Sequence, residues 1–141
     1  LIFGASLARP EYMARYRTAD LFLDTQPYNA GTTASDALKM GLPMLTLKGQ
    51  SYQARMGASI VTALNLPELI TNTSAEYESL AIELATNPDK LKTIKDKLAS
   101  NLSTAPLYDT KLFTKNLESC YIKIYKRYHQ GLGADHIHVE Q

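Results

Sequence analysis

The residue types that could do chemistry concentrate in residues 24–41, DTQPYNAGTTASDALKMG. Gly31, Thr32 and Thr33 stand just before a run with helical spacing, and Asp36 follows three residues after Thr33. Free N–H groups at a helix start accept an anion, and the macrodipole favours negative charge there by about 0.3–1 kcal/mol. Gly31 has no Cβ and lets a ligand come close to the backbone. The Thr32 and Thr33 hydroxyls add two donors, each worth roughly 1.5–3 kcal/mol against a charged oxygen in a dry site. A phosphate or diphosphate fits that arrangement. Asp36 would repel a phosphate, but one turn further along the helix its carboxylate can accept from two neighbouring ribose hydroxyls. Amides and hydroxyls for phosphate, with a carboxylate for ribose, is the division expected of a nucleotide site. The same residues also fit plain helix capping by Thr32 or Thr33, with Asp36 complementing the dipole. The local pattern leaves both readings open, and neither a Walker A motif nor G-x-G-x-x-G is present to decide.

These residues need a scaffold that brings a helix start to a sheet edge. In residues 1–70 short apolar runs, LIFG, ADLFLDT, GLPMLTL and LPELI, alternate with segments of helical length near 10–18, 33–40 and 52–64. The alternation predicts parallel βαβ units, a partial Rossmann-like α/β sheet of three or four strands. In such sheets ligands bind beyond the carboxyl ends of the strands, beside helix N-termini. The helix after Thr33 has Gly41 as its left-handed stop. Residues 71–129 read as three helices, from the 3.6-residue spacing of Tyr77, Leu80, Ala81 and Leu84, of Leu91, Ile94, Leu98 and Leu102, and of Phe113, Leu117, Tyr121, Ile124 and Tyr128. Expected N-caps are Ser74, Asn87 ahead of Pro88, and Asp109 or Thr110. Residues 130–141 read as a frayed tail or a linker stub.

The block LFLDTQPYNAGTTASDALKMGLPMLTL resembles the O-GlcNAc transferase and SPINDLY-type glycosyltransferases, family 41. The similarity runs upstream through RPEYMARYRTAD and downstream through GQSYQARMGASIVTALNLPELI and APLYDTKLFTKNLESCYIKIYKRY. The resemblance implies a GT-B architecture, two Rossmann-like halves with a sugar nucleotide between them and TPR repeats ahead of the catalytic region. Residues 1–70 would be the βαβ nucleotide-binding part of the second half, and 71–129 its helical end. Carried over by position, Thr32 and Thr33 match a diphosphate-binding pair, Asp36 the ribose carboxylate, Arg9 a basic position near the ribose, and Leu7 a backbone contact to the base. Tyr12 stands where animal-type members have a histidine stacked on uracil. Gly31 stands where they have a phosphate-contacting histidine. The implied function is the sugar-nucleotide-binding part of a protein O-glycosyltransferase acting on Ser or Thr. The implied donor is of the UDP-GlcNAc or GDP-fucose type, with no metal and no other cofactor. A lysine contacting the diphosphate, and the first catalytic half, would lie upstream. The segment alone is therefore expected to be inactive. The alternatives are a non-catalytic nucleotide- or phosphate-binding module and a protein-interaction domain. No residue presents itself as general base.

The remaining features read more plainly. Of 141 residues, 45% are hydrophobic and 21% charged, which excludes wholesale disorder. Fifteen Lys and Arg against fourteen Asp and Glu leave a formal charge of +1, no general reason to expect nucleic acid or an anionic membrane as partner. No apolar run approaches the roughly 20 residues of a membrane-spanning helix. The one cysteine, Cys120, reads as a packed thiol and suits a reducing compartment, so a cytoplasmic protein is expected. His136 and His138 form H-x-H in the tail, which reads as tail rather than metal clip. Arg55 is expected in a structural salt bridge, and Lys90, Lys92, Lys95 and Lys97 on a solvated face. Leu1–Ile2–Phe3 reads as a strand, and with no Met at position 1 the expectation is a piece of a longer protein. Tyr121, Tyr125 and Tyr128 read as a packing seam rather than a base-stacking platform; the GT-B resemblance implies that part of the Tyr121, Ile124 and Tyr128 side packs on an upstream domain, and without that domain self-association is expected.

Overall fold

Apolar runs of two to four residues and the helices between them form a βαβαβ unit. The structure is a computed structural model and describes residues 2–139. Its strands are β1 (Phe22–Leu23), β2 (Met44–Leu47) and β3 (Ile70–Thr71), in sheet order β1-β2-β3. All pairing is parallel, with Phe22 opposite Met44, Leu23 opposite Leu45, Thr46 opposite Ile70 and Leu47 opposite Thr71. Met44, Leu45 and Thr46 are all buried although successive side chains point to opposite faces, so β2 is covered on both. The cover comes from α2 (Thr32–Lys39), α3 (Met56–Ala63) and α4 (Ser74–Thr86), which all pack on β2. Leu38, Leu45, Val61, Leu64, Leu69, Leu84 and Leu98 form the buried core, each contributing roughly 1.5–3 kcal/mol of transfer free energy.

Local chemistry sets the ends of the helices. Gly41 at φ +82° follows α2, where a side chain would be strained. Helix α4 is capped by Thr73, not Ser74: the Thr73 hydroxyl accepts from the Glu76 N–H while the Glu76 carboxylate accepts from the Thr73 N–H. Both residues fit an N-cap by type, and the glutamate three positions after Thr73 selects it. Asn87 caps α5 (Pro88–Leu102) through the Lys90 N–H at 3.0 Å, with Pro88 at the first position, as expected.

The strand expected at LIFG does not form over residues 2–4, and Leu1 lies outside the described residues. Ile2 and Phe3 are almost wholly exposed. A strand so short gains its hydrogen bonds only from a neighbour, and among the described residues β1 pairs with β2 alone. The Arg15 guanidinium instead donates to the Ala5 carbonyl at 2.8 Å. The helix expected at 10–18 is α1 (Arg9–Arg15), followed by a 3₁₀ turn at Tyr16–Thr18.

The lysines of α5 are paired. Lys90 meets Glu83, Lys92 meets Asp96, Lys95 meets Asp20 and Lys97 meets Glu68, all at 2.6–2.8 Å. Arg55 donates to the Gln50 carbonyl, and no salt bridge of Arg55 occurs among the described residues.

Residues up to Ala105 form one compact unit and residues from Pro106 a second. The second contains α6 (Thr110–His129), capped by Asp109 through the Leu112 N–H at 2.9 Å. Tyr121, Ile124 and Tyr128 are exposed along it. The tail is not frayed over the described residues. Lys123 donates to the His138 carbonyl, Arg127 to the Gly133 carbonyl, and Arg127 pairs with Asp135. Those cations fix a segment that has no periodicity of its own. No helix among the described residues is long and apolar enough to cross a membrane. Among them, no group of three or more His, Cys, Asp and Glu is placed to hold a metal, His136 and His138 included.

Candidate functional site

The start of α2 lies beyond the carboxyl end of β1, at the close of a loop over residues 24–31. Its N-cap is Gly31, which makes no side-chain cap hydrogen bond. Thr32 and Thr33 are its first two residues, both exposed, and among the described residues neither hydroxyl has a hydrogen-bond partner. Plain capping by Thr32 or Thr33, one of the two readings the pattern allowed, is therefore not what these residues do. Gly31 has an ordinary φ of −105°, and a Cβ there would meet only the Met56 Cγ, at 3.9 Å. Packing does not demand glycine at this position.

Asp36, in the second turn of α2, is buried, with 8% of its surface exposed. Its carboxylate takes both ends of the Arg9 guanidinium, each at 2.7 Å. This fork is the strong geometry for such a pair. Arg9 itself is 62% exposed in its side chain, and the hydrogen bond to Asp36 raises its pKa further. The Arg9 guanidinium also lies 5.9 Å from the centre of the Tyr12 ring. Tyr12 and Tyr16 pack edge to face at 5.3 Å with their hydroxyls bonded to each other, and the Tyr16 hydroxyl donates to the Thr33 carbonyl at 3.3 Å. Burial, then the bond to Tyr12, pushes the Tyr16 hydroxyl above the ordinary tyrosine range, so it stays a donor at neutral pH. A cleft of about 550 Å³ runs beside Tyr12, Tyr16, Thr33, Phe22, Leu23 and Leu42. A second cleft of about 540 Å³, between Asp20, Leu84 and Leu91, touches none of the residues named above. Volume alone thus does not locate the site.

Of the sequence-predicted residues, Arg9, Tyr12, Thr33 and Asp36 are linked by direct contacts or through Tyr16, with Thr32 beside Thr33 in α2 and Gly31 as the N-cap of that helix. Leu7 sits apart, partly exposed at 41% in the irregular segment before α1.

Sequence reasoning missed the residues beneath the loop. Asp24 is 4% exposed and Asn29 2% exposed. Asp24 Oδ1 accepts from the Thr25 and Ala30 N–H groups at 2.9 and 2.7 Å, and Oδ2 from the Thr46 hydroxyl at 2.6 Å. The Asn29 side chain donates to the Thr25 carbonyl and accepts from the Gly57 N–H at the start of α3. The Tyr77 hydroxyl of α4 donates to the Asp24 carbonyl at 2.9 Å. A Cβ at Gly57 would collide with Thr46 Oγ1 and Asp24 Oδ2. The available signal was an Asp at a strand end with an Asn five residues on, both inside the most distinctive stretch of the chain.

A model of glycosyl transferase family 41 matches residues 1–117. The chain is 34% identical to a UDP-N-acetylglucosamine–peptide N-acetylglucosaminyltransferase of Caenorhabditis elegans, over 97% of this chain and 12% of that one. It is 35% identical to the probable enzyme SEC of Arabidopsis thaliana, over 99% of this chain and 14% of that one. To the probable SPINDLY enzyme of Hordeum vulgare it is 35% identical, over 86% of this chain and 13% of that one. Among solved structures it superposes on a variant of the Thermobaculum terrenum O-GlcNAc transferase with a TM-score of 0.83 at 31% identity, covering 89% of this chain and 24% of that one. The chain thus spans about an eighth of the length of the curated relatives it matches. With one family model over residues 1–117 and a shared α/β fold, the chain belongs to glycosyltransferase family 41.

Proposed function

We propose that the chain is the donor-binding part of a protein O-glycosyltransferase that moves a sugar from a nucleoside diphosphate to a Ser or Thr hydroxyl. The observation that carries this reading is the first turn of α2. It has no side-chain cap, its two threonine hydroxyls have no partner among the described residues, and it stands one turn before a buried carboxylate held by Arg9. The N–H groups and the Thr32 and Thr33 hydroxyls meet the diphosphate, Asp36 the ribose, and Tyr12 and the Leu7 backbone the base. As the bond to the sugar breaks, those donors stabilise the charge growing on the departing diphosphate. The reading assigns no metal, no other cofactor and no general base to this chain. The donor is of the UDP-GlcNAc or GDP-fucose type, since Tyr12 and Gly31 replace two histidines that the resemblance pairs with UDP.

In this proposal the rest of the enzyme, the opposing catalytic half with its TPR repeats and acceptor contacts, belongs to a longer polypeptide. The exposed Tyr121, Ile124 and Tyr128 face of α6 seats against that half. Placement in the cytoplasm rests on the single cysteine.

The test is titration calorimetry of the full-length polypeptide with UDP and GDP and with their nucleosides. Thr33→Val keeps the shape and removes a donor to charge, so diphosphate affinity should fall by roughly 1.5–3 kcal/mol, about 10–150-fold. Free nucleoside should bind the Thr33→Val variant as it binds wild type. Asp36→Asn should weaken both ligands alike. Diphosphate binding unchanged in Thr33→Val would sink the reading, and binding without transfer in the full-length polypeptide would leave a non-catalytic nucleotide module.

A further inference from the structure

The loop between β1 and α2 is shaped by a side chain that lies beneath the proposed ligand surface. Asp24 is 96% buried by its 4% exposure, and all of its side-chain bonds are to groups of this chain. One carboxylate oxygen gathers the N–H of Thr25 and the N–H of Ala30, the two ends of the loop. The other oxygen is anchored to Thr46 in β2, the most covered strand. Ala30 immediately precedes Gly31, the N-cap of α2. The bond at 2.7 Å from the Ala30 N–H to Asp24 is thus the last fixed point before the donors of Gly31–Thr33. An acceptor bearing charge makes such bonds short and strong, and an apolar plug in its place would leave two main-chain donors unmatched.

We infer that Asp24 is a positioning residue for the phosphate subsite: by gripping the Ala30 amide from below, its carboxylate sets where the first turn of α2 presents its donors. The inference rests on the reading of that turn as the diphosphate site. Donors placed a fraction of an ångström wrong lose much of their effect on a charged oxygen, whereas the ribose and base contacts through Asp36 and Tyr12 rest on other bonds.

The experiment is titration of Asp24→Ala, Asp24→Asn and Thr46→Val, in the full-length polypeptide, with UDP and GDP and with uridine and guanosine. Asp24→Ala should lower diphosphate affinity about tenfold or more while nucleoside affinity changes by less than about twofold. Asp24→Asn keeps an acceptor for the Ala30 N–H and should recover most of the loss. Adding Thr33→Val to Asp24→Ala should cost less than Thr33→Val costs in wild type, because both act on the same donors. Diphosphate affinity equal to wild type, equal losses for diphosphate and nucleoside, or strict additivity with Thr33→Val would each overturn the inference. Where Asp24→Ala does not fold, Thr46→Val decides: it removes one hydroxyl and should weaken diphosphate alone, by about threefold, and an unchanged affinity overturns the inference. If Thr33→Val itself binds diphosphate as wild type does, the phosphate reading fails first and this inference falls with it. If Thr33→Val weakens diphosphate while the Asp24 and Thr46 variants do not, only the inference fails.

Discussion

The two ends of the candidate site are built in different ways. The end at residues 24–33 rests on buried polar side chains, Asp24, Asn29 and Thr46, each bonded within the chain. The end formed by Leu7, Arg9 and Tyr12 is more open: Leu7 is 41% exposed and the Arg9 side chain 62%, and only the Asp36 side of the Arg9 fork is buried. Buried bonds in a low-dielectric surrounding are stiff and costly to leave unmade. A pair with one exposed member, such as Arg9 with Asp36, is screened more than a bond buried at both ends. The lesson is that the loop leading to the threonines is held before any ligand arrives, while the arm that would meet the base can adapt. On the proposed reading, this difference suits a diphosphate common to all donors and a base that varies between them.

The sharpest way to break the contrast is Gly57→Val. A side chain there collides with both Thr46 and Asp24, the anchors of the stiff end. Overpacking of that kind costs about 3 kcal/mol, and calorimetric unfolding should show the transition of this segment several degrees lower. An unchanged transition would mean the loop yields easily and the two ends are alike. A smaller effect is expected from Arg9→Ala at the adaptable end. It should weaken nucleoside and diphosphate to a similar modest extent, through a less fixed Asp36, and lower the melting temperature by less than Gly57→Val does, because the buried Asp36 carboxylate loses its fork while Arg9 itself is exposed. A drop in Tm comparable to that of Gly57→Val would place Arg9 among the structural anchors instead.

The smallest effect concerns alkaline stability. Burial, then the charge of Asp24, raises the pKa of the Tyr77 hydroxyl. Below about pH 10 that hydroxyl is protonated in folded and unfolded chains alike. Its contribution is therefore complete there and is lost as pH rises from about 10 through the higher folded-state value. Tyr16 shifts in the same direction. Tyr77→Phe should lower stability slightly at neutral pH and flatten its decline above about pH 10, measured by urea unfolding against pH. A decline as steep as wild type would remove Tyr77 from the titrating groups.

Periodicity made much of this fold legible. The helices at 74–102 and the parallel strands at Phe22, Met44 and Ile70 follow from apolar patterns that burial enforces, while α6 keeps the same spacing with its apolar face exposed. LIFG has the same apolar composition and forms no strand over residues 2–4, because a strand depends on its neighbours and composition does not name them. The first turn of α2 was legible because Gly-Thr-Thr and Asp differ in chemistry at helical spacing. Asp24 and Asn29 were not, since a buried polar residue leaves no periodic trace: only the positions of its partners, from Thr46 to Gly57, explain it.

The bond between the Ala30 N–H and Asp24 has a consequence for hydrogen exchange. Loop amides ordinarily trade their protons with water quickly, and strand amides slowly. The Ala30 amide ends on a buried carboxylate, so it should exchange on the timescale of β2. Two residues later the Thr32 and Thr33 amides, at a helix start with no side-chain cap, should exchange fast. A bound anion would slow those two and leave Ala30 as it was, so deuterium uptake would mark the boundary between scaffold and ligand surface to within two residues.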